Sequence, residues 1–184
     1  MRLFIGLDVP YEMSRNLELL LHLLKPTADI QWSPMTNLHI TTKFIGEWPE
    51  ERLPDLKAAL QEIPRPGDLS VAIRGLGWFP NPHQPRIFYA AIQASPVLEK
   101  LAANTGAACQ TLGIEAGHKP FHPHLTLARI KNPGDLFPLK KTIAELPNAD
   151  FGAFTSTDFH LYLSRPTPSG SLYTKLASYP LEAS

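Results

Sequence analysis

Two short stretches hold the residues best suited to chemistry: HITTKFIG from His39 to Gly46 and HLTLARI from His124 to Ile130. Each sets a histidine and a threonine two positions apart, in an alternating run rich in apolar and β-branched residues. That pattern is a strand. Strand side chains two apart share a face and lie about 6.5–7 Å apart along it. His39 with Thr41, and His124 with Thr126, would thus each present an imidazole and a hydroxyl on one surface. Imidazole, with an ordinary pKa of about 6.5, can give or take a proton near neutrality. Two imidazoles facing one phosphodiester could serve both halves of an in-line displacement. One would take a proton from the incoming water and the other would protonate the departing oxygen, each transfer typically worth about 10²–10⁴-fold. The threonine hydroxyls would hydrogen-bond the non-bridging oxygens as their charge grows. Arg129 adds a planar, permanent cation suited to phosphate. Its odd separation from His124 puts it on the opposite face of an ideal strand, so a twist, bulge or strand end must bring it round. This chemistry requires no metal and no cofactor.

The other candidates are weaker. His118, His122 and His124 could be taken for a metal site, but Pro123 argues for a loop there and no paired carboxylates or cysteines complete a shell. Cys109, the single cysteine, lies on the apolar side of a helical pattern and reads as a small buried hydrophobe. Trp32, Trp78 and Phe79 are expected to wedge the sheet rather than stack a base, and Trp48 is placed evenly between those roles at the cleft rim. His22, His83 and His160 read as surface or packing residues, and Lys140 and Lys141 as solvated.

A chain of 184 residues can bury a sizeable core in one domain or in two small lobes. The nineteen prolines are scattered between periodic segments and punctuate loops. Seventeen basic residues balance seventeen acidic ones. An extended duplex-binding surface needs a basic surplus, so a nucleic acid partner would be gripped at one end or one nucleotide. With one cysteine, no intrachain disulfide can form. The opening MRLFIGLDVP is too short and too polar at Asp8 for a signal core or a membrane span. A monomer in the cytoplasm, away from membranes, is the expectation.

The elements that must position the histidines follow from periodicity. Leu3–Asp8 reads as a buried strand, Tyr11–Leu24 as a helix with Met13, Leu17, Leu20, Leu21 and Leu24 inward, and Ile30–Trp32 as a short extended piece. After the first motif, 49–63 is helical by pattern and 69–76 alternates as a strand. A strand over 86–93 and a helix over 96–112 then lead to the second motif. Leu136–Leu146 reads as a weaker helix, and 151–163 and 172–181 as two strands joined by a turn. Phe4-Ile5 recurs as Phe88-Tyr89 and His39 as His124 at nearly constant offset, so the architecture is duplicated. The fold class is α+β. Two similar lobes, each a largely antiparallel sheet with outer helices, are related by a pseudo-twofold duplication around a central cleft within one bilobal domain, 1–184.

HITTKFIGE and FHPHLTLAR resemble the two signature motifs of the two-histidine phosphoesterases, in particular the RNA 2′,3′-cyclic phosphodiesterases also called 2′-5′ RNA ligases. The opening RLFIGLDVP, the Trp32-x-x-x-x-Asn37-Leu38 lead and the closing LYLSRPTPSGSLYTKLASYPL extend the resemblance over nearly the whole chain. It implies hydrolysis of RNA or nucleotide 2′,3′-cyclic phosphates to 2′-phosphomonoesters, and reversible 2′-5′ joining of RNA ends. By analogy His39 would protonate the 3′ leaving oxygen and His124 would act on water. Thr41, Thr126 and Arg129 would hold the phosphate, and Phe44 would stack on the base. Residue types alone leave the two histidine roles interchangeable. Thr42, His122 and Tyr89 depart from the family pattern, at positions more often apolar, arginine and tryptophan. The alternatives of other classes are a non-catalytic binder of RNA ends and a metal-dependent hydrolase.

Overall fold

The structure, a computed structural model, describes residues 1–182. In chain order the elements are β1 (Arg2–Asp8), α1 (Tyr11–Leu24), β2 (Gln31–Trp32), β3 (His39–Glu47), α2 (Leu53–Gln61), β4 (Leu69–Phe79), β5 (Ile87–Ala94), α3 (Pro96–Thr111), β6 (His124–Arg129), α4 (Phe137–Ala144), β7 (Asp150–Ser156), β8 (Asp158–Thr167) and β9 (Gly170–Pro180). The helical spacing in α1 buries the five expected residues, Met13, Leu17, Leu20, Leu21 and Leu24. α2 is shorter than its pattern suggests. Glu50–Arg52 forms a 3-10 turn, and the helix starts at Leu53 with a proline in its first turn, where a missing N–H costs nothing.

The strands form two sheets of order β3-β1-β8-β9 and β2-β6-β5-β4-β7, and every pairing is antiparallel. The lobes are not simply the two halves of the chain. β4 leaves the first half to pair with β5, and β8 and β9 return to complete the first sheet. The helices cross as well: α1 lies against β7 and α4, while α3 lies against β3 and α2. One buried cluster accordingly runs through both sheets, from Leu3 and Ile5 to Phe88 and Leu125.

The segment 151–163 is not one strand. It breaks at Thr157, sending β7 to one sheet and β8 to the other. Ser, Thr and Asp offer the backbone local alternatives to a ladder. Here the Ser156 hydroxyl donates to the Asp158 carbonyl, and the Leu181 N–H takes the Thr157 carbonyl.

Both motif strands carry the same irregularity. In β3, Ile5 is paired with Lys43 and Gly6 with Thr41, leaving Thr42 as an extra residue. In β6, Phe88 is paired with Ala128 and Tyr89 with Thr126, leaving Leu127 extra. An extra residue of this kind resets which later side chains face which way. Thr42 and Leu127 turn into the core, while Phe44 and Arg129, each five positions after its histidine, come round to the histidine face. The Thr42 hydroxyl stays satisfied by donating to the Ile5 carbonyl at 3.2 Å. The registers also make Ile87, not Phe88, the counterpart of Phe4, so the offset read from sequence overshoots by one residue.

At the first bulge, β1 and β3 approach so closely that a Cβ on Gly6 would lie 2.5 Å from the Ile40 carbonyl oxygen. We expect Gly6→Ala to force the strands apart beside Thr41, at a cost of about 1–3 kcal/mol in urea denaturation. Unchanged stability would show that this approach is not a constraint.

Candidate active site

Between the sheets lies a cleft of about 700 Å³. His39, Thr41 and Phe44 of β3 and His124, Thr126 and Arg129 of β6 all line it. The six residues singled out from sequence therefore reach one cavity. Arg2 and Lys131 also line it, and among the described residues no Asp or Glu does. A chain of zero formal charge thus concentrates cations where a phosphate would sit.

The two imidazoles are held alike. His39 Nδ1 is 2.7 Å from the Asn37 carbonyl oxygen, and His124 Nδ1 is 2.7 Å from the His122 carbonyl oxygen. A carbonyl only accepts, so Nδ1 carries the proton in both rings. Each neutral ring then keeps its lone pair on Nε2, which can accept a proton or, once charged, donate one.

Aromatic rings fix both imidazoles from the side. Phe4 lies 4.5 Å from the His39 ring and Tyr173 meets it edge-on at 5.0 Å. Phe79 and Tyr89 play this part for His124, at 5.0 and 5.6 Å. Phe44 is different: 62% exposed, its ring offers a free face. Burial pushes the His39 pKa below its ordinary value. The Asn37 carbonyl opposes this, Arg129 and His124 add to it, and Asp8 opposes it. His124 is also lowered, by burial first, with the His122 carbonyl opposing and the His122 ring and Arg129 adding.

Several roles differ from those read in the sequence. Trp48 is buried away from the cleft, its indole N–H donating to the Arg52 carbonyl and its face covered by the Arg52 guanidinium. Trp32 does line the cleft, beside Phe88. Phe79 packs on His124 rather than wedging the sheet. His122 contributes its carbonyl, and its ring stands edge-on to Phe79 at 4.9 Å. Lys140 is not simply solvated: its ammonium donates to the Pro82 carbonyl and lies 5.7 Å from the centre of the Trp78 ring. His160 is buried and within 2.8 Å of the Ser178 hydroxyl. Cys109 is buried, and burial pushes its thiol up to about 11. Among the described residues, no three His, Cys, Asp or Glu side chains gather as metal ligands, and no helix is long and apolar enough to cross a membrane. Sequence reading missed Tyr173, Phe4, Arg2 and Lys131. Arg2 and Lys131 were legible only as residues at the far ends of the motif and inner strands.

A duplicated fold that brings two histidine–threonine pairs to a carboxylate-free cleft has the layout of a phosphoesterase. The family model for LigT like phosphoesterases matches this chain twice, over residues 7–89 and 92–173, and the chain belongs to that family. It is 32% identical to the RNA 2′,3′-cyclic phosphodiesterase of Archaeoglobus fulgidus, over 96% of this chain and 98% of the relative. It is 33% identical to the RNA 2′,3′-cyclic phosphodiesterase of Thermus thermophilus, over 98% and 90%. The crystal structure of TT0787 from Thermus thermophilus superposes with a TM-score of 0.83 at 31% identity, covering 98% of each chain. E. coli LigT complexed with 3′-AMP shares the fold, with a TM-score of 0.82 at 24% identity over 99% of this chain and 98% of that one.

Nitrogen NMR of the imidazoles at about pH 8 should find both His39 and His124 in the Nδ1–H form, titrating below the ordinary value of about 6.5. An Nε2–H form in either ring would contradict the geometry. The sign of the linkage follows. The unfolded chain binds these protons more readily, so stability is full above about pH 6.5 and is lost as pH falls through that value toward the folded pKa values. Urea midpoints across that range check this.

Proposed function

We propose that this protein hydrolyses RNA or nucleotide 2′,3′-cyclic phosphates to 2′-phosphomonoesters, with His39 and His124 as the acid–base pair. The observation that carries the reading is the matched pair of Nδ1–H···O=C bonds, which leaves two Nε2 atoms free in one cleft. The family membership and the names of the relatives above 30% identity support the substrate class.

In this mechanism His124 removes a proton from water as the water oxygen attacks phosphorus. The P–O3′ bond breaks, the P–O2′ bond stays, and His39 delivers its proton to the departing 3′ oxygen. Thr41, Thr126 and Arg129 hold the non-bridging oxygens, whose charge grows in the transition state. Phe44 supplies an exposed face on which the terminal base stacks. Both proton transfers fall to imidazoles, so the steps need no metal. If a 5′-hydroxyl takes the place of water, the same two groups join RNA ends through a 2′-5′ linkage, and the reverse reaction cleaves it. The cations of the cleft are confined to Arg2, Arg129 and Lys131 on a chain of zero formal charge, which suits an RNA end rather than a duplex.

The test is hydrolysis of a 2′,3′-cyclic nucleotide in EDTA with product analysis. The expected product is the 2′-phosphomonoester, and His39→Ala or His124→Ala should each lower kcat by about 10²–10⁴-fold. Tight binding without turnover would instead identify a binder of RNA ends, and loss of activity in EDTA a metal-dependent hydrolase. The kcat/KM profile should be bell-shaped. Its acid limb reports protonation of the base and its alkaline limb deprotonation of the acid. Both imidazoles are lowered in the free protein, so the maximum should lie on the acid side of about pH 6.5. A bound phosphate anion raises both values, so kcat should peak at higher pH than kcat/KM. A flat profile would overturn paired imidazole catalysis.

A further inference from the structure

The likeness between the two motif strands ends one strand further in. Across the sheet His39 is paired with Asp8, whereas His124 is paired with Ala91. Directly opposed residues of an antiparallel pair share a face, with Cβ atoms about 4.5–5.5 Å apart. One imidazole therefore has a carboxylate beside it, and the other a methyl group.

Asp8 is itself held by a set of groups outside the cleft lining. Its carboxylate accepts the Tyr162 hydroxyl, is ion-paired with Lys175 and lies 3.7 Å from His160 Nε2. His160 in turn meets the Ser178 hydroxyl at 2.8 Å. The Tyr162 ring stacks on Phe4 at 4.8 Å, and Phe4 packs against His39. The titratable and charged groups facing His39 are Asp8 from β1, His124 and Arg129 from β6, Tyr162 from β8 and Tyr173 from β9. Asp8 is the one anion in that set. Among the described residues no carboxylate faces His124, whose basic neighbours are His122 and Arg129.

We propose that Asp8 is a positioning residue which makes His39, and not His124, the proton donor to the leaving oxygen. The proposal rests on the cyclic-phosphate reading above. A carboxylate beside His39 favours its imidazolium, and Lys175, bound to the same carboxylate, offsets part of that pull. The two variants Asp8→Asn and Lys175→Met should therefore act in opposite senses. Removing the anion makes His39 harder to protonate, and removing the lysine leaves the anion's pull unopposed. A unit charge about 6 Å away moves an imidazole pKa by about half a pH unit to about two, for effective dielectrics of about 80 down to about 20.

The experiment measures kcat/KM against pH for a 2′,3′-cyclic nucleotide and follows both imidazoles by NMR, in the parent and both variants. In Asp8→Asn the alkaline limb and the His39 titration should move to lower pH by about half a unit to two units. In Lys175→Met both should move to higher pH, with the His124 titration moving less than that of His39 in either variant, through its coupling to that ring. A shift of the same sign in both variants, or none in either, overturns the proposal and leaves Asp8 a structural residue. If Asp8→Asn does not fold, the direction of the shift in Lys175→Met decides. The ring titrations read the effect whether or not the protein turns over cyclic phosphate, so failure of the reaction and failure of this assignment are told apart.

Discussion

The structure depends on how each motif strand is hydrogen-bonded to the strand inside it, with an extra residue between its histidine–threonine pair and the side chain five positions after the histidine. β3 against β1 and β6 against β5 would, in regular register, alternate faithfully and send every odd-numbered step to the opposite face. The extra residues Thr42 and Leu127 break that rule at the same place in both sheets. Upstream of the break lie the histidine and threonine; downstream lies a side chain brought to the same surface. One sheet thereby adds a ring, Phe44, and the other a guanidinium, Arg129. The duplicated backbone device delivers two different chemistries to one cavity.

The histidines are prepared for their work by the backbone. In each case the ring bonds back to the carbonyl two residues before it, in a segment that has just entered the strand. The bond selects the tautomer, and the surrounding rings restrict rotation. Phe4 and Tyr173 on one side, and Phe79 and Tyr89 on the other, also withdraw the imidazoles from water. Such withdrawal favours the neutral ring. The cleft's own cations push in the same direction, so an arriving anion finds imidazoles whose protonation it can itself promote.

Much of this was legible in the residues. The α1 core positions, the motif strands and the duplication follow from periodicity, because each is local. Arg129 could be flagged as misplaced by one step but not relocated, since a bulge is set by the partner strand and not by the strand that carries it. Trp48 stayed evenly placed between two roles for a related reason: nearness in sequence to Gly46 says little once a turn carries the chain away. The partition of 151–163 between two sheets was hidden because alternation continues smoothly across Thr157 while the pairing passes from one sheet to the other. The carboxylate at Asp8 was visible only as an interruption of an apolar run, and its pairing with His39 exists only in the folded sheet.

The exchange of strands and helices between the halves has a consequence for synthesis. The first sheet holds β1 and β3 from the beginning of the chain but is completed by β8 and β9, which lie beyond residue 157. Domains tend to fold as units while the chain emerges from the ribosome, yet here the earliest strands must wait for the latest. Tyr173, which braces His39, is made more than a hundred residues after the ring it supports. A nascent or prematurely terminated polypeptide therefore carries the first histidine without its pocket, and competence arrives only when the final hairpin closes the wall.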